Sequence, residues 1–351
     1  MKRIAFVIDD ISHKGGTERV LSNLIDSLSA THKITVCSIN EGGGYGYLRK
    51  TENVRFANGI NRFFKIINII SFLKEEDFDS VIIISMGRLS FEINPLLKIF
   101  RCRSKIISCD HVAIESFSLP LRVMKMISYT FPDKIIVLTE SDRDYIKTKN
   151  PFVNEIRTVR NSSPFSKVNL PISELMYARE KSVLAVGRLT EQKNFKVLIK
   201  MWASLPEEIK SHWVLKIAGD GELKEDLQNQ ISYHDLEGKV ILLGNVNDII
   251  DEYKKASFLC MTSLYEGLPM TLIEAKDFGL PVISFDCKTG PKEIIRDDGF
   301  LIDCFNEGEY IDSMIKLMTS ENIRYEMSTN ALKNRIFYSE DKITSEWNSF
   351  I

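Results

Sequence analysis

Ten short runs of aliphatic residues, none of them alternating with polar positions, constrain this chain more than anything else in it. Arg3–Ile8, Ile34–Ser38, Val81–Ser85, Lys105–Cys109 and Lys134–Leu138 lie in the first half. Ser182–Val186, Val214–Ala218, Val240–Leu243, Phe258–Met261 and Pro281–Ser284 lie in the second. A strand that is apolar on both faces has to be covered on both, which is the condition of a parallel sheet between helical layers. Helical patterns stand between the runs. Glu18–Leu28 carries Val20, Leu21, Leu24 and Leu28 on one side, and Phe195–Leu205 does the same with Val197, Leu198 and Trp202. Strand and helix alternating twice over predict an α/β protein of two doubly wound domains. A length of 351 residues suits two domains. The break is expected in Asn161–Ser173, which holds Pro164, Pro171 and four serines.

Composition removes several classes. With 44% hydrophobic and 27% charged residues the chain is neither disordered nor collagen-like. No run reaches the roughly 18 apolar residues of a membrane span. Asp9 and Asp10 cut the opening MKRIAFVIDD too short for a signal peptide, so it reads as a first strand. The six cysteines show no C-x-x-C spacing, which indicates neither zinc nor a redox pair and suits a reducing cytoplasm. The net charge of -2 conceals a basic first half and an acidic second half. That asymmetry predicts two separate units with an anionic partner at the first, although drift in surface composition explains it equally.

Ligands of doubly wound sheets lie at the carboxyl ends of the strands, so the loops there carry the argument. After the first strand, SHKGGTERV places Gly15 and Gly16 before a helix, where backbone and helix N-terminus suit an anion. The dinucleotide pattern G-x-G-x-x-G fails there, and it also fails at Gly219/Gly221 and Gly44/Gly46. VGRLTEQKN sends Arg188 and Lys193 out of one strand end, a guanidinium fork and an ammonium that together suit a diphosphate. Solvated loop cations are the plain alternative. SLYEGLPMTLIEAKDFGLPV says most. Pro269 suits the first turn of a helix, Gly279 its end and Pro281 the break beyond. Amides around Met270–Leu272 then offer an anion site, with Glu266 before the helix and Glu274 one turn inside.

VGRLTEQKN, IAGDGELKEDL, VILLGNVNDI, YEGLPMTLIEA and TGPKEIIRDDGFLI occur in that order, and together they resemble the nucleotide-sugar-binding half of family 4 glycosyltransferases. GGTER and the terminal FYSEDKITSEWNSF extend the resemblance over nearly the whole chain. It implies the GT-B fold: two Rossmann-like domains facing across a cleft, with a C-terminal helix crossing back to the first. The acceptor domain is expected over 1–165 with about 337–351, and the donor domain over 166–336. The activity implied is retaining transfer of a hexose or N-acetylhexosamine from a nucleotide sugar, UDP being expected, to a lipid-linked surface polysaccharide. By resemblance Arg188 and Lys193 hold the diphosphate, Glu266 faces the transferred sugar and Glu274 binds ribose hydroxyls. Gly15, Gly16, Gly267, Leu268, Pro269, Met270, Thr271 and Leu272 line the donor, Val246 and Asn247 border the base, and His111 lies toward the acceptor. No metal or cofactor is expected. The turn Asn161–Ser162 departs from the Asn-Gly or Asn-Pro frequent in the family.

Three other patterns have plain explanations. Asp142 and Asp144 form the Asp-x-Asp of a metal-dependent fold, but behind Ser141 they also suit a helix N-terminus. Asp110, His111 and Glu115 mimic a metal cluster without a further ligand. Ile60–Lys74 is either packed on the sheet or a helix lying on a membrane, in which case the protein sits on the inner face of the cytoplasmic membrane. A nucleotide-sugar epimerase and a non-enzymatic sugar-binding protein share the two-domain architecture. An NAD enzyme would need the fingerprint that is missing.

Overall fold

A computed structural model describes residues 1–13, 16–48, 53–85, 88–111, 114, 117–168 and 170–351. Two compact units emerge, Met1–Ser162 with Glu340–Ile351, and Ser163–Ser339. The division at Ser162 falls inside Asn161–Ser173, three residues before the boundary expected at 165.

The first unit is a parallel sheet in the order β3-β2-β1-β4-β5-β6-β7. Its strands are β1 (Arg3–Asp10), β2 (Lys33–Asn40), β3 (Val54–Phe56), β4 (Ser80–Ser85), β5 (Lys105–Asp110), β6 (Lys134–Val137) and β7 (Ile156–Thr158). The helices between them are α1 (Gly16–Leu28), α2 (Arg62–Glu75), α3 (Arg88–Ile99), α4 (Leu119–Ser128) and α5 (Glu140–Lys149). Successive residues of β1 point to opposite faces. Ile4, Phe6 and Ile8 therefore meet Leu21, Leu24, Ile25 and Leu28 of α1, while Ala5 and Val7 meet Ile66, Ile69 and Ile70 of α2.

The second unit carries a parallel sheet in the order β10-β9-β8-β11-β12-β13. The strands are β8 (Ser182–Val186), β9 (Val214–Ala218), β10 (Val240–Gly244), β11 (Phe258–Met261), β12 (Val282–Phe285) and β13 (Gly299–Ile302). Its helices are α6 (Ile172–Ala178), α7 (Phe195–Ala203), α8 (Glu207–Lys210), α9 (Lys224–Tyr233), α10 (Ile250–Lys255), α11 (Met270–Asp277), α12 (Pro291–Ile294), α13 (Glu307–Thr319) and α14 (Glu321–Asn334). Trp202, Phe258, Phe285 and Tyr310 fill its core. The last helix, α15 (Glu340–Phe350), packs Ile343, Trp347 and Phe350 into the core of the first unit beside Phe6. Each sheet reverses its winding once, at β1/β4 and at β8/β11. These are the switch points at which such sheets hold ligands.

Several sequence expectations need correction. β3, β7 and β13 went unforeseen: VRF and IRT are each broken by an arginine, and the Phe300–Ile302 run of β13 is only three residues long. α5 is capped by Thr139, whose side chain accepts from the Asp142 amide, and not by Ser141. Asp142 is buried and receives hydrogen bonds from Thr139 Oγ1 at 2.6 Å and the Ile114 amide at 3.2 Å, while exposed Asp144 pairs with Arg143. The Asp-x-Asp is thus a helix-start device, and no metal-binding cluster forms among the described residues. α2 buries Ile66, Ile69, Ile70 and Leu73, so one face of the Ile60–Lys74 stretch is packed on the sheet, while Ile60, Phe63 and Phe64 are exposed. Glu115 and Gly15 lie outside the described residues.

Candidate active site

At the second switch point the loop leaving β8 meets the loop leaving β11. Gly187 leaves room for the Lys193 side chain, since a Cβ there would lie 2.9 Å from Lys193 Cε. The Lys193 side chain therefore runs over bare backbone and ends with Nζ 2.6 Å from Glu266 Oε1. Both residues are largely shielded from water, with Glu266 only 8% exposed. The two loops are stitched together further: Thr262 Oγ1 donates to the Lys193 carbonyl at 3.0 Å, the Leu264 amide to the Gln192 carbonyl at 2.8 Å, and Gln192 Nε2 to the Tyr265 carbonyl at 2.9 Å. Arg188 stands exposed one residue beyond Gly187.

A third loop fixes the approach to α11. The Thr289 hydroxyl donates to the Glu266 carbonyl, and the Glu266 amide donates to the Lys288 carbonyl at 3.3 Å. Gly290, at φ +93°, lies so close that a Cβ would sit 2.6 Å from the Gly267 carbonyl oxygen. That positive φ and contact leave room for glycine alone. Gly267, buried Leu268 and buried Pro269 then lead into α11, which starts at Met270 with Thr271 and Leu272 in its first turn. The helix ends in a Schellman motif: Leu280 N–H donates to Ala275 at 2.9 Å and Gly279 N–H to Lys276 at 3.1 Å.

Glu274 is buried one turn into α11, and Tyr253 of α10 donates its hydroxyl to Glu274 Oε2 at 2.7 Å. The Tyr253 ring stacks on Phe278 with centroids 5.2 Å apart. Arg179 clamps the C-terminal ends of both helices, reaching the carbonyls of Tyr253 at 2.7 Å and Phe278 at 2.6 Å. Burial lowers its pKa to about 10, so it remains a cation at neutral pH. Burial beside Glu266 pushes the Cys287 thiol up to about 12, which keeps it an uncharged neighbour. Val246 and Asn247 follow β10 at the same carboxyl edge of the sheet, Asn247 exposed.

The structure thus brings Lys193 and Glu266 into contact, hangs Arg188 and Gly267–Pro269 on the same switch-point loops, and sets Met270–Leu272 and Glu274 on the helix that follows. Gly16 and His111 belong to the first unit. Gly16 opens α1 beside the switch point of that sheet and is exposed. His111 directly follows β5, with Nε2 3.5 Å from Cys109 Sγ. Burial, opposed by Asp110 and reinforced by Lys125, lowers its pKa to about 4, so the imidazole is neutral at pH 7. Tyr253, Arg179 and Thr289 were missed from sequence. Only Thr289 had a signal, the TGP turn of FDCKTGPKEII; a tyrosine and an arginine on separate helices have no spacing to betray them.

Known proteins resemble the chain in sequence and in fold. A family model described as glycosyl transferases group 1 matches residues 169–334. Over their full lengths the chain is 39% identical to an amylovoran biosynthesis glycosyltransferase, AmsD, of Erwinia amylovora. It is 28% identical, over 99% of this chain and 97% of the relative, to a Campylobacter jejuni N-acetyl-D-galactosaminyltransferase. Among solved structures, Anabaena HepE with UDP and glucose superposes with a TM-score of 0.82 at 17% identity, covering 100% of this chain and 99% of that one. S. aureus TarM with UDP gives 0.81 at 17%, covering 99% of each. Both share the GT-B fold, two parallel-sheet Rossmann-like domains. With a relative matched end to end and the second unit spanned by the family model, the chain belongs to the group 1 glycosyl transferases and is a glycosyltransferase enzyme.

Proposed function

We propose that the protein is a retaining transferase of family 4 type that moves a hexose or N-acetylhexosamine from UDP to a lipid-diphosphate-linked surface polysaccharide. The observation that carries this reading is the ion pair of Lys193 with Glu266 in front of α11. Breaking a sugar–diphosphate bond builds negative charge on the leaving phosphate, which preorganised cations and helix amides stabilise. Arg188, Lys193 and the amides of Met270–Leu272 are those groups. The sugar carbon becomes positive as the bond breaks, and Glu266 is the carboxylate for that side. Donor binding draws the Lys193 ammonium toward the phosphates and leaves Glu266 to the sugar. Glu274 takes the ribose, Val246 and Asn247 the base, and neutral His111 the acceptor side.

The acceptor class follows the relatives. The C. jejuni enzyme is named for a PP-undecaprenol-linked substrate, and AmsD for amylovoran biosynthesis. No helix among the described residues is long and apolar enough to cross a membrane. The reading includes metal-independent transfer. Its test is UDP release from a panel of UDP-sugars, with and without lipid-linked acceptor, in excess EDTA. Release by wild type that falls by about 2–4 kcal/mol of transition-state stabilisation in Arg188→Ala supports it. Unchanged kcat/KM in a folded Arg188→Ala, or loss in EDTA restored by Mn²⁺, overturns the corresponding part.

A further inference from the structure

A lysine is almost never fully buried, because its ammonium must surrender its water. Lys125 of α4 is only 1% exposed. Its Nζ lies 3.0 Å from Asp110 Oδ2, and the Asp110 side chain is as deeply buried. The hydroxyl of buried Tyr129, which closes α4, donates to the same oxygen. Among the described residues Lys125 has no second ion-pair partner; its ammonium stands 4.7 Å from the centre of the Phe117 ring. Asp110 Oδ1 is buried with no hydrogen-bond partner. Burying such a pair costs each ion several kcal/mol of hydration, so a packed apolar pair would hold α4 at least as well. Stability alone does not account for the arrangement.

What the pair stands beside is His111. Successive residues of a strand point to opposite faces. Cys109 sits in the core under α1 and α15, whereas Asp110 meets α4. The His111 imidazole turns to the Cys109 side, with Nε2 3.5 Å from Sγ, and forms no ion pair with the carboxylate next to it in the chain. A carboxylate so near draws a proton onto a histidine, and a cation pushes it off. Lys125 supplies that cation. Burial, opposed by Asp110 and reinforced by Lys125, holds the imidazole at a pKa of about 4. The Cys109 thiol and the Tyr129 phenol are pushed well up by burial and stay uncharged. Asp142 of α5, which bears on Tyr129, is occupied by Thr139 and the Ile114 amide. We propose that Lys125 is a positioning residue that sets the charge of His111: by holding Asp110 in an ion pair on the α4 side of β5, it leaves the imidazole uncharged. An uncharged imidazole accepts a hydrogen bond from an acceptor hydroxyl, which an imidazolium cannot do. That use of His111 rests on the acceptor reading above, whereas the control of its charge does not.

The test is an NMR titration of the histidine rings in the full chain. There are five histidines, and His111→Gln assigns the signal of interest. In wild type the midpoint of His111 should lie near 4. Lys125→Met leaves the Asp110 carboxylate without its cation and should raise that midpoint by about two units or more, to the ordinary histidine value of about 6.5 or above. Lys125→Met/Asp110→Asn removes both charges and should bring it back to within about one unit of wild type. A lysine that merely props the fold would leave the double variant as disturbed as the single. Lys125→Gln, which keeps a donor for the carboxylate but no charge, reads the same midpoint if Lys125→Met does not fold; thermal unfolding establishes which variants do. A midpoint unmoved by loss of the lysine charge, or one still raised in the double variant, overturns the proposal. UDP release with lipid-linked acceptor should gain an acid limb near the raised midpoint in the single variant alone. A raised midpoint with an unchanged pH profile would instead sink the acceptor role of His111 and leave the control of its charge standing.

Discussion

Glu266 and Glu274 sit eight positions apart, yet their surroundings assign them different work. Glu266 meets a cation at a loop junction, and Glu274 meets a phenol inside a helix pair. Positive charge at the sugar exists only as the bond breaks, whereas ribose hydroxyls are the same throughout. Glu266→Gln should therefore lower kcat with little change in donor affinity, and Glu274→Gln should chiefly raise donor KM. Steady-state kinetics with varied donor, beside calorimetric UDP binding, checks the split. The reverse pattern would exchange the two roles. Tyr253→Phe removes one hydrogen bond to a buried carboxylate, about 1.5–3 kcal/mol. UDP affinity should fall by about tenfold or more with kcat nearly unchanged. A variant with normal UDP affinity and lowered stability would reduce Tyr253 to packing.

At the scale of elements, α11 is tuned by more than its glutamate. Asp277, three residues further on, is buried, and that burial raises its pKa to about 6 despite a hydrogen bond from Ser163 and the charge of Arg335. With the folded pKa above the unfolded value of 3.8, the folded chain holds the proton more tightly. Stability is then unaffected below about pH 3.8, declines as pH rises through 6, and above that carries the full cost of about 3 kcal/mol. Asp277→Asn should raise the melting temperature by several degrees at pH 8 and by almost nothing at pH 3.5. An equal gain at both values would refute the burial argument. α11 also shows what sequence can and cannot deliver. Pro269, Gly279 and Pro281 announce both its ends, because turn chemistry is local. Likewise the buried strands announce themselves by unbroken apolar runs. The TGP loop that pins Glu266 and the Arg179 clamp join residues far apart in the chain, and nothing local records such a meeting.

For the molecule as a whole, the first unit is assembled from both ends of the sequence. Phe350 and Trp347 of α15 sit in one core with Phe6 and Leu24, and Lys134 Nζ reaches the Phe350 carbonyl at 2.8 Å. Truncating a buried aromatic to alanine costs about 3–5 kcal/mol, so Trp347→Ala should destabilise the first unit and spare the second. Two transitions in calorimetry, only the lower one shifted, is the expected record; a single transition moving as one would contradict independent units. The same packing sets an order of events during synthesis. Ribosomes deliver Trp347 about 340 residues after Phe6, at about 5–20 residues per second. Through that interval the face of the sheet that packs on α1 lacks the part of its cover that α15 supplies, while Ser163–Ser339 already has every strand it needs. The half made later is free to fold first, and the half made earlier waits, unfinished, for a helix that leaves the ribosome after all of its neighbour.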